Sequence, residues 1–258
     1  MLMVQQQQYR LFVAVIVIAI ITSLAIYYSP VPERKAAKVS FTLKFPRTIS
    51  LAAEQKAYVD ISCSAADAKL VSVSVSSPAL EARGDQKDVI RAGTTETMNL
   101  VLAAKDVQDD NYLVSVSVQY SDDFGTHRTD LQTVNVIVLP YVEFTDIWWT
   151  RTIDQLLGKS TIHQTDSTEL NVRVHSKSLA VYTGLKMTAE ISHTNVGVSV
   201  GPSSQPVESL GPSGTSRSYA FKLESRNAIV GVYQLKLSLY SRTGELATQL
   251  SRDFTVTT

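Results

Sequence analysis

The chain has a single cysteine, Cys63, in 258 residues. No intrachain disulfide can form, which excludes a small secreted fold held by bridges. Cys63 alternates with Ala57, Val59 and Ile61 in "KAYVDISC" and reads as a small buried hydrophobe on a strand. Net charge is also absent, with 24 Lys and Arg against 24 Asp and Glu. Nothing therefore points to nucleic acid or to an acidic polymer. The four histidines, His127, His163, His175 and His193, show no zinc or copper ligand spacing with one another or with the cysteine. There is no G-x-S-x-G elbow, phosphate loop or dinucleotide fingerprint, and no N-x-[ST] sequon. Two acidic stretches, "KDVQDDN" (105–111) and "SDDFG" (121–125), lack the oxygen order of a calcium loop and read as solvated turns. They flank one strand and so belong at its opposite ends. The expectation is a chain with no catalytic residue, no metal and no cofactor, and an enzyme is disfavoured.

Charge is missing in a second, local sense. "LFVAVIVIAIITSLAIYY" (11–28) has no charged residue, no glycine and no proline. As a helix it would be about 27 Å long, close to the thickness of a bilayer core. Leu11, Phe12, Ile16, Ile20 and Leu24 would face lipid, and Tyr27 and Tyr28 would sit at the interface. "SPVPE" stops the helix. The alternative is a cleaved secretory signal, but "AIYYSPVP" is a poor cleavage site because its tyrosines are bulky. Arg10 precedes the run, while Arg34, Lys35 and Lys38 follow it. That count argues for a cytoplasmic C-terminal part. The Ser/Thr-rich strands downstream argue for an extracytoplasmic one, which is the reading adopted.

Beyond a linker at 29–38 the pattern is that of an all-β protein. Val71, Val73 and Val75 alternate with serines, as do Val114, Val116 and Val118, and Leu235, Leu237 and Leu239 follow the same rule. An internal repeat links the two halves. With Gly93 set on Gly214, Met98 meets Tyr219, Leu100 meets Phe221 and Leu102 meets Leu223. Tyr112 then meets Tyr233, and Val114, Val116 and Val118 meet Leu235, Leu237 and Leu239. A one-residue slip would turn every apolar side chain outward, so register preserved over this length marks a duplication. At the start, "VSFTLKF-PRTI" parallels "VEFTDIWWTRTI", with Arg47-Thr48-Ile49 set on Arg151-Thr152-Ile153. The expected architecture is a tail (1–10), a transmembrane helix (11–28), a linker (29–38) and two tandem immunoglobulin-like β-sandwiches at 39–140 and 141–258. The second would carry an inserted Trp/Leu segment near 145–163, about seven residues longer than its counterpart.

The pattern "SLGPSGTSRSYAFKL…GVYQLKLSLYSRTGE…RDFTV" resembles the CARDB and NEW3-type immunoglobulin-like repeats of archaeal and bacterial membrane-anchored surface proteins. Tyr233 stands where such folds carry a corner tyrosine. The resemblance implies an adhesive, scaffolding or complex-building role and carries over no catalytic residue.

Both tryptophans lie in "TDIWWTRTIDQLLG" (145–158). Trp149, Ile153, Leu156 and Leu157 would share a helical stripe, with Asp146 at its start and Gly158 at its end. Trp148 or Trp149 is expected to fill the second core, the rest packing at the seam between domains. Failing that, Trp148, Trp149, Ile153, Leu156 and Leu157 form a partner contact. The expected partners are the lipid bilayer through 11–28 and other membrane or envelope proteins, with self-association left open. The function expected is a single-pass scaffold or accessory subunit at the cell surface. The alternative is a carbohydrate-binding or adhesion module.

Overall fold

The computed structural model describes residues 14–23, 34–150, 161–192, 197–212 and 214–258. Residues 14–23 are helical and their side chains are exposed throughout, Ile16 and Ile20 among them. No helix among the described residues is long and apolar enough to cross a membrane. Leu11, Phe12, Leu24, Tyr27 and Tyr28 of the expected anchor lie outside the described residues.

From Ala37 onward the chain is one compact unit built from strands. The first half contains β1 (Lys38–Lys44), β2 (Thr48–Ser50), β3 (Gln55–Ser64), β4 (Ala68–Ser76), β5 (Leu80–Gly84), β6 (Gln86–Ile90), β7 (Thr95–Ala104), β8 (Asn111–Asp122), β9 (Gly125–Arg128) and β10 (Gln132–Leu139). The second contains β11 (Val142–Trp149), β12 (Thr161–His163), β13 (Ser167–Ser176), β14 (Leu185–Ser192), β15 (Val198–Gly201), β16 (Ser204–Val207), β17 (Ser216–Ser225), β18 (Gly231–Tyr240) and β19 (Leu246–Thr257).

Each half is a β-sandwich. In the first, a sheet ordered β1-β3-β7-β5 faces one ordered β2-β10-β8-β4-β6, with β9 hairpinned onto β8. In the second, β11-β13-β17-β15 faces β12-β19-β18-β14-β16. Alternation builds the cores, since successive side chains in a strand point to opposite faces. Ala57, Val59, Ile61 and Cys63 point inward from β3 and meet Val114, Val116 and Val118 of the opposite sheet within one buried cluster. Leu170, Val172 and Val174 meet Leu235, Leu237 and Leu239 in another. Burying a side chain of this kind contributes about 1.5–3 kcal/mol relative to leaving it exposed.

The two strand orders are the same, strand for strand, and so are the registers. Val59 pairs with Met98 as Val172 pairs with Tyr219, and Ala57 with Leu100 as Leu170 with Phe221. Gly93 and Gly214 both have a left-handed backbone, with φ of 78° and 92°. Their N–H groups donate to the equivalent carbonyls of Cys63 and Ser176. The Tyr112 hydroxyl donates to the Gln108 carbonyl at 3.0 Å, and the Tyr233 hydroxyl to the Ile229 carbonyl at 2.7 Å. Both tyrosines thus close the same corner.

The lateral edges are short because strands change sheets. At Asp85 the chain passes from β5, paired with β7, to β6, paired with β4. Gly84 allows the crossing, because a Cβ there would run into the Leu100 side chain. On the other edge β1 pairs with β3, whereas β2 pairs in parallel with β10. Split edges of this kind offer little backbone for added strands.

Two expectations about the start of the second sandwich need correction. First, residues 145–149 are not helical. They belong to strand β11, with Trp148 opposite Asn171 and Trp149 opposite Leu170. The aromatic and β-branched residues fit a half-buried pleated surface, and pairing with β13 overrides the weak helical stripe. Thr145 is extra, at a bulge between Phe144 and Asp146. Second, Arg151-Thr152-Ile153 is not the counterpart of 47–49. In the parallel edge pairs, Ile49 faces Val138 and Ile162 faces Val256, so Thr161-Ile162 matches Thr48-Ile49. Three residues lie between Phe45 and Ile49, and twelve lie between Trp149 and Ile162. Nine are therefore inserted, and the insertion precedes β12. Ile153, Leu156 and Leu157 fall in this stretch, outside the described residues.

Candidate functional site

Only Pro140 and Tyr141 join β10 to β11, so the sandwiches stand end to end. The acidic stretch 105–110 does not form a solvated turn. It is the corner loop before β8, and it docks on the second sandwich. The Asp106 carboxylate accepts hydrogen bonds from the Ser178 hydroxyl, from Leu179 N–H at 2.7 Å and from Ala180 N–H at 3.3 Å. Asp109, 2% exposed, accepts Arg242 N–H at 2.9 Å. The Arg242 guanidinium reaches Asp110 at 2.6 Å, and Arg47 reaches Glu245 at 2.8 Å. The buried Tyr182 hydroxyl accepts Tyr141 N–H at 3.1 Å, which fixes the joint itself.

Burial works against both Asp106 and Asp109, but the outcomes differ. At Asp106 the Ser178 hydroxyl and two backbone N–H groups outweigh it, and the carboxyl lies below its ordinary range. At Asp109 burial dominates over the Arg242 contacts and the carboxyl is raised. Composition alone could not reveal the docking, because a carboxylate bound to N–H groups of a distant loop looks in sequence like one bound to water. The available signal was position, since the acids sit at a corner two residues or more before a repeat-matched tyrosine.

The tryptophans lie at the other end of the second sandwich, about 30 Å along β18 from the clasp, so they are not part of the seam. Trp149 is buried, its ring centroid 6.0 Å from that of Phe254, which stacks on Tyr233 at 5.6 Å. Trp148 is half-buried on the outer face of the sheet, with the Arg173 guanidinium 5.5 Å over its ring. Arg173 also pairs with Asp146 at 2.9 Å, and Asn171 donates to Thr150 at 2.7 Å. Thr150, Ser167, Thr168, Glu169 and Lys222 line an open groove beside Trp149.

The same far end carries a feature that sequence reading passed over. The corner 226–231 is the repeat equivalent of 105–110. Counting back from the matched tyrosines, Asp106, Asp109 and Asp110 of the first copy correspond to Asn227, Val230 and Gly231 of the second. All three carboxylates of the clasp are gone. Instead Ile229, Val230 and Val232 are 60%, 48% and 66% exposed within four residues. Single exposed aliphatics are ordinary on protein surfaces, but three at one corner are a patch.

Elsewhere His127 binds the Asp122 carboxylate at 2.8 Å and His175 binds the Ser216 hydroxyl at 3.0 Å. His193 lies outside the described residues. Among the described residues, no three His, Cys, Asp or Glu side chains are grouped as metal ligands. No protein-family model matches the chain, and no curated protein matches it.

Proposed function

We propose that this chain is a single-pass, membrane-anchored, extracytoplasmic interaction or scaffold protein that serves as an accessory or structural subunit of an envelope or membrane complex. The observation that carries the proposal is the contrast between equivalent corners. In the first sandwich this corner is already a protein–protein docking surface, occupied by the second sandwich. In the second sandwich it is aliphatic, stripped of its acids and exposed among the described residues. The clasp makes the two sandwiches a stiff spacer, and the uncharged run 11–28 supplies the tether.

The proposal includes an immunoglobulin-like assignment of both sandwiches, related to the CARDB and NEW3-type repeats. Support for it comes from the strand order and the two corner tyrosines. A saccharide-binding reading fits less well, because one face of the only half-exposed tryptophan is occupied by Arg173.

The test is purification of the full chain from detergent-solubilised membranes of its own cells. Wild type retains a stoichiometric membrane subunit, and Ile229→Asp/Val232→Asp loses it without a change in thermal unfolding. Equal retention by both proteins overturns the corner as the contact. Complete protection of the sandwiches from added protease in intact cells overturns the extracytoplasmic assignment.

A further inference from the structure

The opposite end of the described sandwiches holds a second set of exposed apolar side chains, and the chain arriving from the apolar run joins there. Ala37 is fixed at two points. Its N–H donates to Asp122 Oδ2 at 2.9 Å, and its carbonyl accepts the Tyr120 hydroxyl at 3.2 Å. The Asp122 side chain is only 3% exposed and also accepts Phe124 N–H and His127 Nε2, both at 2.8 Å. One buried carboxylate therefore ties the incoming chain to the β8–β9 hairpin.

Phe124 stands at the tip of that hairpin and is 57% exposed. Its neighbour Asp123 pairs with Lys69 at 3.0 Å. The residue after Lys69 is Leu70, 58% exposed and with a left-handed backbone, φ 50°. A leucine rarely adopts that conformation, and such outliers persist where the surroundings impose them. Here it falls where the β4–β8 register shifts, between Lys69 and Ser72. Lys38 and Arg91 are exposed at the same end, and Asp67 is engaged by Ala92 N–H.

Eight residues, 29–36, separate the apolar run from Ala37. Fully extended, they span at most about 28 Å. If the apolar run is held in a bilayer, a tether of this length limits how far this end can stand from it.

We propose that this end of the first sandwich is a lipid-docking surface. Phe124 and Leu70 enter the headgroup region, and Lys38 and Arg91 face anionic headgroups. The inference rests on the membrane-anchored reading above. It assigns the two exposed ends different partners, lipid at the hairpin end and protein at the Ile229 corner.

The test uses the full chain reconstituted into vesicles of phosphatidylcholine and phosphatidylglycerol. A polarity-sensitive fluorophore is attached to Phe124→Cys or to Ile229→Cys in a Cys63→Ala background, after circular dichroism shows native folding. Nitroxide-labelled lipid is expected to quench the label at 124 several-fold more than the label at 229. Equally weak quenching at both positions, in protein that stays with the vesicles through a carbonate wash, overturns the docking surface and leaves the anchor standing. Release by carbonate overturns the anchor, and the docking surface with it.

Discussion

Replacing Asp106 with alanine should uncouple the two sandwiches. The carboxylate accepts three hydrogen bonds across the joint, from Ser178, Leu179 and Ala180. Shielded from water, three bonds to a charged acceptor would sum to about 4–9 kcal/mol. Asp106 is exposed, however, and so is Leu179. Water recovers much of the loss at the two backbone N–H groups, and values near the surface end of the range apply, so the expected cost is about 2 kcal/mol. With a urea slope of about 2 kcal/mol/M for a unit of this size, the midpoint falls by about 1 M.

The distribution of aromatics supplies the assay. Both tryptophans are in the second sandwich and the first has none. Tryptophan fluorescence therefore follows the second alone, whereas far-ultraviolet circular dichroism follows both. In wild type the two curves should coincide, because the clasp makes each sandwich part of the other's stability. In Asp106→Ala they should separate. Asp123→Ala is the control, since its pair with Lys69 is more than half exposed on both sides and does not cross the joint. Curves that stay coincident in Asp106→Ala, with a midpoint matching the control, would refute the clasp as the source of coupling.

Acid should loosen the hairpin that holds Ala37. Burial alone would raise the Asp122 carboxyl, but His127 and the N–H groups of Phe124 and Ala37 hold it down to about 2 against an ordinary 3.8. The unfolded chain takes up that proton first. The contribution is thus complete above about pH 4 and lost as pH falls toward about 2. Thermal unfolding from pH 5 down to pH 2 checks this, and Asp122→Asn should flatten the dependence; an unchanged slope sinks the assignment. Trp149→Ala removes a buried ring from the second core and should cost about 3–5 kcal/mol. Trp148→Ala loses mainly its contact with Arg173, about 1 kcal/mol. Equal losses in thermal unfolding would show that the burial of the two rings has been misjudged.

Much of the architecture was legible because it rests on local periodicity. Alternation in 71–75, 114–118 and 235–239 marks strands with one wet face, and repeat spacing carries the match from Gly93 and Gly214 to Tyr112 and Tyr233. The structure returns those pairs residue for residue. The start of the second copy was misread for a physical reason. A three-residue identity, Arg-Thr-Ile, outweighed the spacing between Ile162 and Leu170, which equals that between Ile49 and Ala57. Edge pairing with the last strand decides the match, and that contact joins residues about ninety apart in each copy. At 145–149 the expected helical stripe gives way similarly, since a partner strand settles a short ambiguous segment.

The sequence by itself determined the strand character of the chain, the duplication, the alternating apolar residues that line both cores and the uncharged N-terminal run. Those follow from side-chain periodicity and hydrophobicity, which are local properties. Only the tertiary structure decided that Asp106, Asp109 and Asp110 bind the neighbouring sandwich, that Trp149 is core and Trp148 is not, and that Ile229, Val230 and Val232 are left uncovered among the described residues. Each of these depends on which distant backbone groups arrive at a given side chain, and no local pattern encodes that.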